Sequence, residues 1–296
     1  VAGEALFAAE LAVGGLLVGV MYSLVALGFV LIYKASGIFN FAQGAMTLFA
    51  ALALVGFLPA LRMGGSLVAV LAVMVALAIA IERIVLRPLV ARPPLTLFMA
   101  TIGLGFFLEG LGQAIWGTQP KGLDIGVPDA PLDVAGLFLS RLDLVGAGVA
   151  AALLLGLVWL FQKTWIGLGL RAVSDDHEAA LSVGIPLRRA WAITWAVAGV
   201  VAVGAGILWG ARLGVQFSLS LVALKALPVL IIGGVESIPG AILAGLIVGA
   251  SERLAAGFVD PYVGGGVKDF FPYLLALAFL IVRPYGLFGR EIIERV

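Results

Sequence analysis

Cysteine is absent from the 296 residues of the chain, which excludes a disulfide framework, a thiolate metal site and a cysteine nucleophile. Histidine occurs once, at His177, beside Asp175, Asp176 and Glu178. A lone imidazole among carboxylates reads as a solvated side chain, and there is no second histidine to share a metal. Charge is scarce: Asp, Glu, Lys and Arg make up 12% of the residues and the formal net charge is +1, so nothing points to a nucleic-acid partner. No Gly-x-x-x-x-Gly-Lys-Ser/Thr phosphate loop occurs, nor a Gly-x-Ser-x-Gly elbow or a His-Glu-x-x-His helix. Enzyme chemistry finds no support in the sequence.

What is abundant is apolar. Hydrophobic residues form 62% of the chain, and several continuous runs approach the roughly 20 residues that cross a bilayer. A transmembrane barrel would alternate apolar and polar residues in short segments, and these runs do not alternate. The expected fold is all-α: a polytopic integral membrane protein, one transmembrane domain over 1–296, with about 8–9 transmembrane or re-entrant helices. The runs are Ala5–Tyr33, Phe41–Leu58, Gly65–Ile81, Leu95–Trp116, Leu144–Phe161, Ala190–Trp209, Phe217–Gly234, Ala241–Ala256 and Phe270–Val282. Phe41–Leu58 and Phe217–Gly234 are the candidates for re-entry. The first run lacks a basic flank and a convincing cleavage site, so it reads as a retained span rather than a leader. Forty glycines suit close helix packing in lipid.

Orientation follows from the basic residues. With the N-terminus outside and the C-terminus cytoplasmic, the inner loops and tail hold Lys34, Arg83, Arg87, Arg92, Lys163, Arg171, Arg188, Arg189, Arg283, Arg290 and Arg295. The outer side holds Arg62, Lys121, Arg141, Arg212, Arg253 and Lys268, and Lys225 falls inside a run. The acid-rich insert 117–143 lies outside in this arrangement.

The most polar interval, Leu168–Ala190, falls inside the inner loop 162–190. Ser174 or Asp175 can cap a helix there, with Glu178 three residues after Asp175 and Asp176 in the same acidic first turn. Gly184 supplies a C-terminal cap and Pro186 stops continuation. The expected product is a stub of two to three turns, roughly 13 Å long, over about 174–183. It reads either as a docking helix for a cytoplasmic partner or as an ordinary interfacial loop helix.

Polar groups within apolar runs are costly and mark candidate positions. Asn40 and Gln43 interrupt the chain after Lys34 and line a polar break or satisfy freed backbone there. Glu236 and Ser237, in Gly233-Gly-Val-Glu-Ser-Ile-Pro-Gly240, are a gate contact or a solvated turn. Glu109 and Gln113 share a helix face, and Glu252 and Arg253 point to diverging ones. The breaks within 30–45 and 229–241 echo each other, which is how broken helices of an internal repeat announce themselves; chance likeness among Gly/Ala/Ile-rich segments is the alternative.

Several ordered blocks carry a resemblance. Gly15–Tyr33 followed by Gly37-Ile-Phe-Asn-Phe-Ala-Gln-Gly44, Gly169–Ile185, Leu224–Gly245 and Arg283-Pro-Tyr-Gly-Leu-Phe-Gly289 resemble the LivH-type permease subunits of bacterial ABC importers for branched-chain amino acids. The resemblance implies an inner-membrane importer subunit that works by alternating access, beside a second related permease, two cytoplasmic ATPases and an extracytoplasmic solute-binding protein. It implies no cofactor on this chain, ATP being used by the partner subunits. It also implies that Glu178, Ala179, Ala180 and Gly184, with Ser174, Asp175, Asp176 and Ile185 around them, form the ATPase-coupling helix. The same scaffold carrying urea, amides or aromatic acids, and an ATP-independent channel or secondary carrier, are the competing functions.

Overall fold

The computed structural model describes residues 2–89, 92–128, 130–134, 136–175 and 177–289. Among these the α-helices are, in order, α1 (Ala2–Ser36), α2 (Gln43–Ala80), α3 (Pro94–Trp116), α4 (Arg141–Lys163), α5 (Trp165–Asp175), α6 (His177–Ser182), α7 (Leu187–Leu213), α8 (Val222–Gly233), α9 (Ile238–Val263) and α10 (Val267–Val282). Six stretches are long and apolar enough to cross a membrane, and Phe217–Gly233 is a shorter apolar one. The bundle is all-α as expected. The insert 117–143 adds one antiparallel hairpin, β1 (Pro131–Val134) with β2 (Leu137–Ser140).

Helix α1 is apolar on every side, so it belongs in the middle of the molecule. Every residue from Met21 to Ile32 is buried. Helix α9 runs antiparallel along it, with Gly15 and Gly19 facing Gly249 and Gly245. A Cβ added at Gly15 or Gly19 would stand 2.5 Å from the opposing glycine carbonyl oxygen. Two facing Gly-x-x-x-Gly pairs thus bring the backbones together, the kind of packing that holds helices where lipid removes the hydrophobic driving force.

Helix α2 contains two of the nine apolar runs. Arg62, at φ 54° and ψ 177°, breaks it into arms 43–61 and 63–80. The arms run in opposite senses along α7. Thr47 and Ala51 of the first arm meet Gly206, and Ala51 also meets Gly210; Met74 and Ala78 of the second arm meet Gly199. Below them Glu82 shares a cavity wall with Trp191. Each apolar run therefore has its own helix or arm.

The bundle has an insert end, where 117–143 joins α3 to α4, and a loop end, where 162–190 joins α4 to α7. At the loop end the 283–289 tail turns back onto α8. Leu287 N–H donates to Ile232 O (2.7 Å) and Phe288 N–H to Gly233 O (3.3 Å), serving carbonyls that the end of α8 would leave unpaired. Gly286, at φ 77°, is pressed against Gly234 and Ile231, which explains the Tyr-Gly-Leu sequence of the tail.

Candidate functional site

Two helices begin inside the bundle rather than at its edge. After α1 ends, Gly37 (φ 66°) turns the chain, and 38–42 run back along α1 until the Gln43 side chain lies on Gly28. Extended backbone in such a place needs hydrogen-bond partners, because no bulk water reaches it. Ser36 Oγ accepts from Ile38 N–H (3.3 Å), Asn40 Oδ1 from Ala42 N–H (3.1 Å) and Thr101 Oγ from Phe41 N–H (3.3 Å). Thr101 Oγ also lies 3.2 Å from Phe39 O. Asn40 Nδ2 donates to Gln43 Oε1 (3.3 Å), while Gln43 Nε2 is buried without a partner. Phe39 and Phe41 pack at 4.8 Å, and Phe98 meets Phe41 edge-on at 4.8 Å.

The second internal start follows α7. Gly214 (φ 78°) turns the chain, Val215 pairs with Lys121 of the insert through N–H···O bonds of 2.8 and 3.0 Å, and a 3₁₀ turn over Phe217–Leu221 leads into α8. This start meets the first. A Cβ at Gly44 would overlap Ser220 O and the Ala223 side chain, so only glycine lets the two strands of backbone cross.

From this crossing the first arm of α2 runs beside α3, with Ala42 near Gly105, Leu52 near Gly112 and Gly56 against Trp116, toward the insert end. Helix α8 runs the other way, to the tail at Gly234. Two helix N-termini, each the positive end of a dipole, thus converge in mid-bundle and diverge to opposite ends. Beside the crossing lies an open groove of about 240 Å³ walled by Phe29, Phe41, Phe217 and Leu224, with Glu109 at its edge.

The two breaks that echo each other in sequence do not meet in space. The break at 37–42 pairs in space with 214–221, not with 233–240, which is the hairpin turn between α8 and α9. Asn40 and Gln43 stand at the crossing, fully buried, and Asn40 satisfies freed backbone there. Glu236 and Ser237 stand elsewhere, at the loop end. Ser237 Oγ caps α9 by accepting from Gly240 N–H (3.0 Å), and exposed Glu236 shares a cavity with Lys34, Lys163 and Arg171. Glu252 and Arg253 diverge as expected: Glu252 faces Tyr22 and Lys225, and Arg253 faces Asp143. Sequence reasoning missed Thr101, Gly44 and Ser220. A hydroxyl in mid-run at Thr101 and the Gly214, Gln216, Ser218, Ser220 series were the available signals.

The loop 162–190 holds two helices, not one stub. Ser174 and Asp175 lie within α5 rather than ahead of a helix, and the described part of α6, His177–Ser182, covers about 9 Å. Asp176 lies outside the described residues. Buried Gly167, Leu170 and Val173 recur on one side of α5, which ties that helix to the bundle and extends it through the positions assigned to a cap. The C-terminal cap forms as expected. Gly184 (φ 84°) donates to Leu181 O (3.0 Å), and Ile185 N–H reaches Ala180 O (2.9 Å), the paired bonds of a Schellman turn. Ala180 is buried, Ala179 is exposed and Ile185 is half-buried. Leu181 and Val183 are 52% and 73% exposed, a large share for aliphatic residues.

A polytopic bundle with two helix starts crossing in its middle defines the class as a membrane transport protein. Residues 11–281 match the family described as the permease component of branched-chain amino acid transport systems, and the chain belongs to that family. It is 29% identical to the high-affinity branched-chain amino acid transport system permease protein BraD of Pseudomonas aeruginosa, over 96% of each chain. It is 26% identical to the corresponding LivH protein of Escherichia coli, over 95% of this chain and 96% of that one. A probable LivH protein of Methanocaldococcus jannaschii is 28% identical over 94% and 91%. The chain is a multi-pass membrane permease component, a transport subunit and not an enzyme.

Proposed function

We propose that residues 1–296 form one permease domain of an ATP-driven ABC importer that moves branched-chain or related amino acids inward by alternating access. Its partners are a related second permease, two cytoplasmic ATPases and an extracytoplasmic solute-binding protein. The loop end faces the cytoplasm and the insert end faces the binding protein, in keeping with the basic residues of the inner loops. The observation that carries this reading is the capped α6 with Leu181 and Val183 turned outward at the basic end. An ATP-independent channel or carrier leaves that apolar tip without a role.

ATPase movement acts on α6, and buried Ala180 passes it to the bundle. Trp191 Nε1 donates to Ala35 O (3.0 Å), which ties the foot of α7 to the end of α1, just before the turn at Gly37. Displacing that foot shifts the 37–43 break against 217–221 and opens the crossing to one side or the other. The ATPases must therefore bind α6 with different free energies in the two states. Apolar cargo passes the phenylalanine-lined groove; Asn40 and Gln43 supply polar groups at the crossing, and Glu236 and Ser237 guard the loop end.

The test is reconstitution of the complete complex carrying Leu181→Asp or Gly184→Val. The first puts a charge on the docking tip, and the second forces a side chain into a left-handed backbone. Uptake should fall at least tenfold while ATP hydrolysis persists and the complex still assembles. Undiminished uptake by both variants would remove the coupling role of α6.

A further inference from the structure

A second cavity, of about 680 Å³, lies toward the insert end between α1, α7, α8, α9 and α10. Ligand pockets occupy roughly 300–1,000 Å³. Its walls carry both signs of charge: Arg212, Lys225, Arg253 and Lys268 against Glu252, Asp260 and Asp269, with Asp260 already accepting from Val267 N–H (3.0 Å). In a chain with so few charges this is a costly concentration, and intramembrane ionisable groups mark pathways for polar cargo. Lys225 Nζ lies 3.6 Å from Glu252 Oε1 and 2.9 Å from Asp269 Oδ1, and Tyr22 Oη donates to Glu252 Oε1 (3.3 Å). Glu252 Oε2 is left buried with no partner. Both guanidinium groups lean on the single carboxylate of Asp143. The cluster thus has one acceptor unused on the acidic side and two guanidiniums sharing one acid on the basic side.

We propose that this cavity binds an amino-acid zwitterion by its two charged ends before the cargo reaches the crossing. The α-ammonium takes the unused Glu252 oxygen, and the α-carboxylate bridges to Arg212 and Arg253. The side chain lies toward Leu221 and Val222, which also line the cavity. Leu221 is at the same time a wall of the phenylalanine groove, so the charged cavity lies next to the crossing with that side chain between them. The site selects for the backbone ends common to all amino acids and leaves discrimination among side chains to another component. Its cargo assignment rests on the proposed importer function.

The test uses the complete complex in lipid nanodiscs, without binding protein or nucleotide, and radiolabelled leucine as probe. Binding should be saturable. It should be displaced by other zwitterionic amino acids but at least tenfold less well by 4-methylpentanoate, which lacks the ammonium, or 3-methylbutylamine, which lacks the carboxylate. Glu252→Gln, nearly identical in shape, should weaken binding about tenfold by removing a charge-assisted hydrogen bond. Glu252→Asp should retain part of the affinity. A merely structural Glu252 would leave the competition pattern of the wild type indifferent to the charged ends, and that result overturns the site. So does equal binding by Glu252→Gln. If Glu252→Gln fails to fold, the wild-type competition pattern decides alone. Uptake into proteoliposomes by the wild-type complex, supplied with binding protein and ATP, separates the two claims: uptake without saturable binding in nanodiscs overturns the site only, and absence of uptake overturns the importer reading with it.

Discussion

The two internal helix starts face one problem and meet it differently. Both must satisfy backbone that leaves the long helices inside the bundle. The first, 37–42, is served by side chains: Ser36, Asn40 and Thr101 take its peptide groups, and phenylalanines close around it. The second, 214–221, is served mainly by backbone, through the Val215–Lys121 pairing and its own 3₁₀ turn, with Ser220 Oγ donating to Phe217 O (3.0 Å) inside that turn. The first is consequently fixed to the core and, through Ala35 and Trp191, to the loop end. The second hangs from the insert. The difference teaches that each half of the crossing is tied to a different end of the molecule.

Breaking the crossing itself should have the largest effect. Gly44→Leu puts a side chain into Ser220 and Ala223, where the two starts touch, and no rotamer avoids both. A cost of about 3 kcal/mol follows from overpacking, roughly 6–12 °C in melting temperature for a chain of this size. Gly148→Leu, at an exposed position with nothing within 4 Å, should leave the melting temperature nearly unchanged. Equal shifts for the two variants in detergent-solubilised protein would mean that the crossing is not closely packed.

How much of this was legible beforehand depends on the type of signal. The spans could be read because a helix surrounded by lipid or by other helices must be apolar throughout, and the runs of α1, α3 and α7 have no other reading. The Gly184 cap could be read because a left-handed residue followed by proline has a local cause. The crossing was not legible in full. Asn40 and Gln43 announced the first break, since a buried amide in an apolar run needs a reason. The second break is satisfied by the backbone of residues nearly a hundred positions away, at Lys121, and backbone pairing leaves no mark on side-chain identity. The echo with 233–240 does not mark the contact for a related reason: helix hairpins and internal breaks draw on the same small residues. The helix carrying Ser174 and Asp175 was misassigned because the apolar face of α5 carries helix through both positions.

A selective change at the first start sharpens the contrast. Thr101→Val keeps the shape but leaves Phe41 N–H without its hydroxyl acceptor, and removes the one proton that Phe98 O (2.9 Å) and Phe39 O (3.2 Å) share. Unsatisfied buried groups cost about 1–3 kcal/mol, so a loss of about 2 kcal/mol is expected. Hydrogen exchange should quicken at 39–43 and stay unchanged at 214–221. Faster exchange at both would show that the two starts are held as one unit.

The smallest expected effect is at the second start. Gly214 sits at φ 78° with Lys121 O 3.7 Å from the position of an added Cβ, so alanine fits sterically and meets only the strain of its backbone conformation. Backbone at φ 78° and ψ 158° strains a side chain by about 1–3 kcal/mol, of which the turn sheds part by shifting, leaving a loss of about 1 kcal/mol and a shift of roughly 2–4 °C. The chain can relieve it by loosening the Val215–Lys121 pairing, which ties this start to the insert. Exchange should therefore rise at Val215 and Lys121 while Phe41 and Ala42 keep their protection. If Gly214→Ala instead releases 39–43, the second start does not hang from the insert, and motion at that end reaches the whole crossing at once.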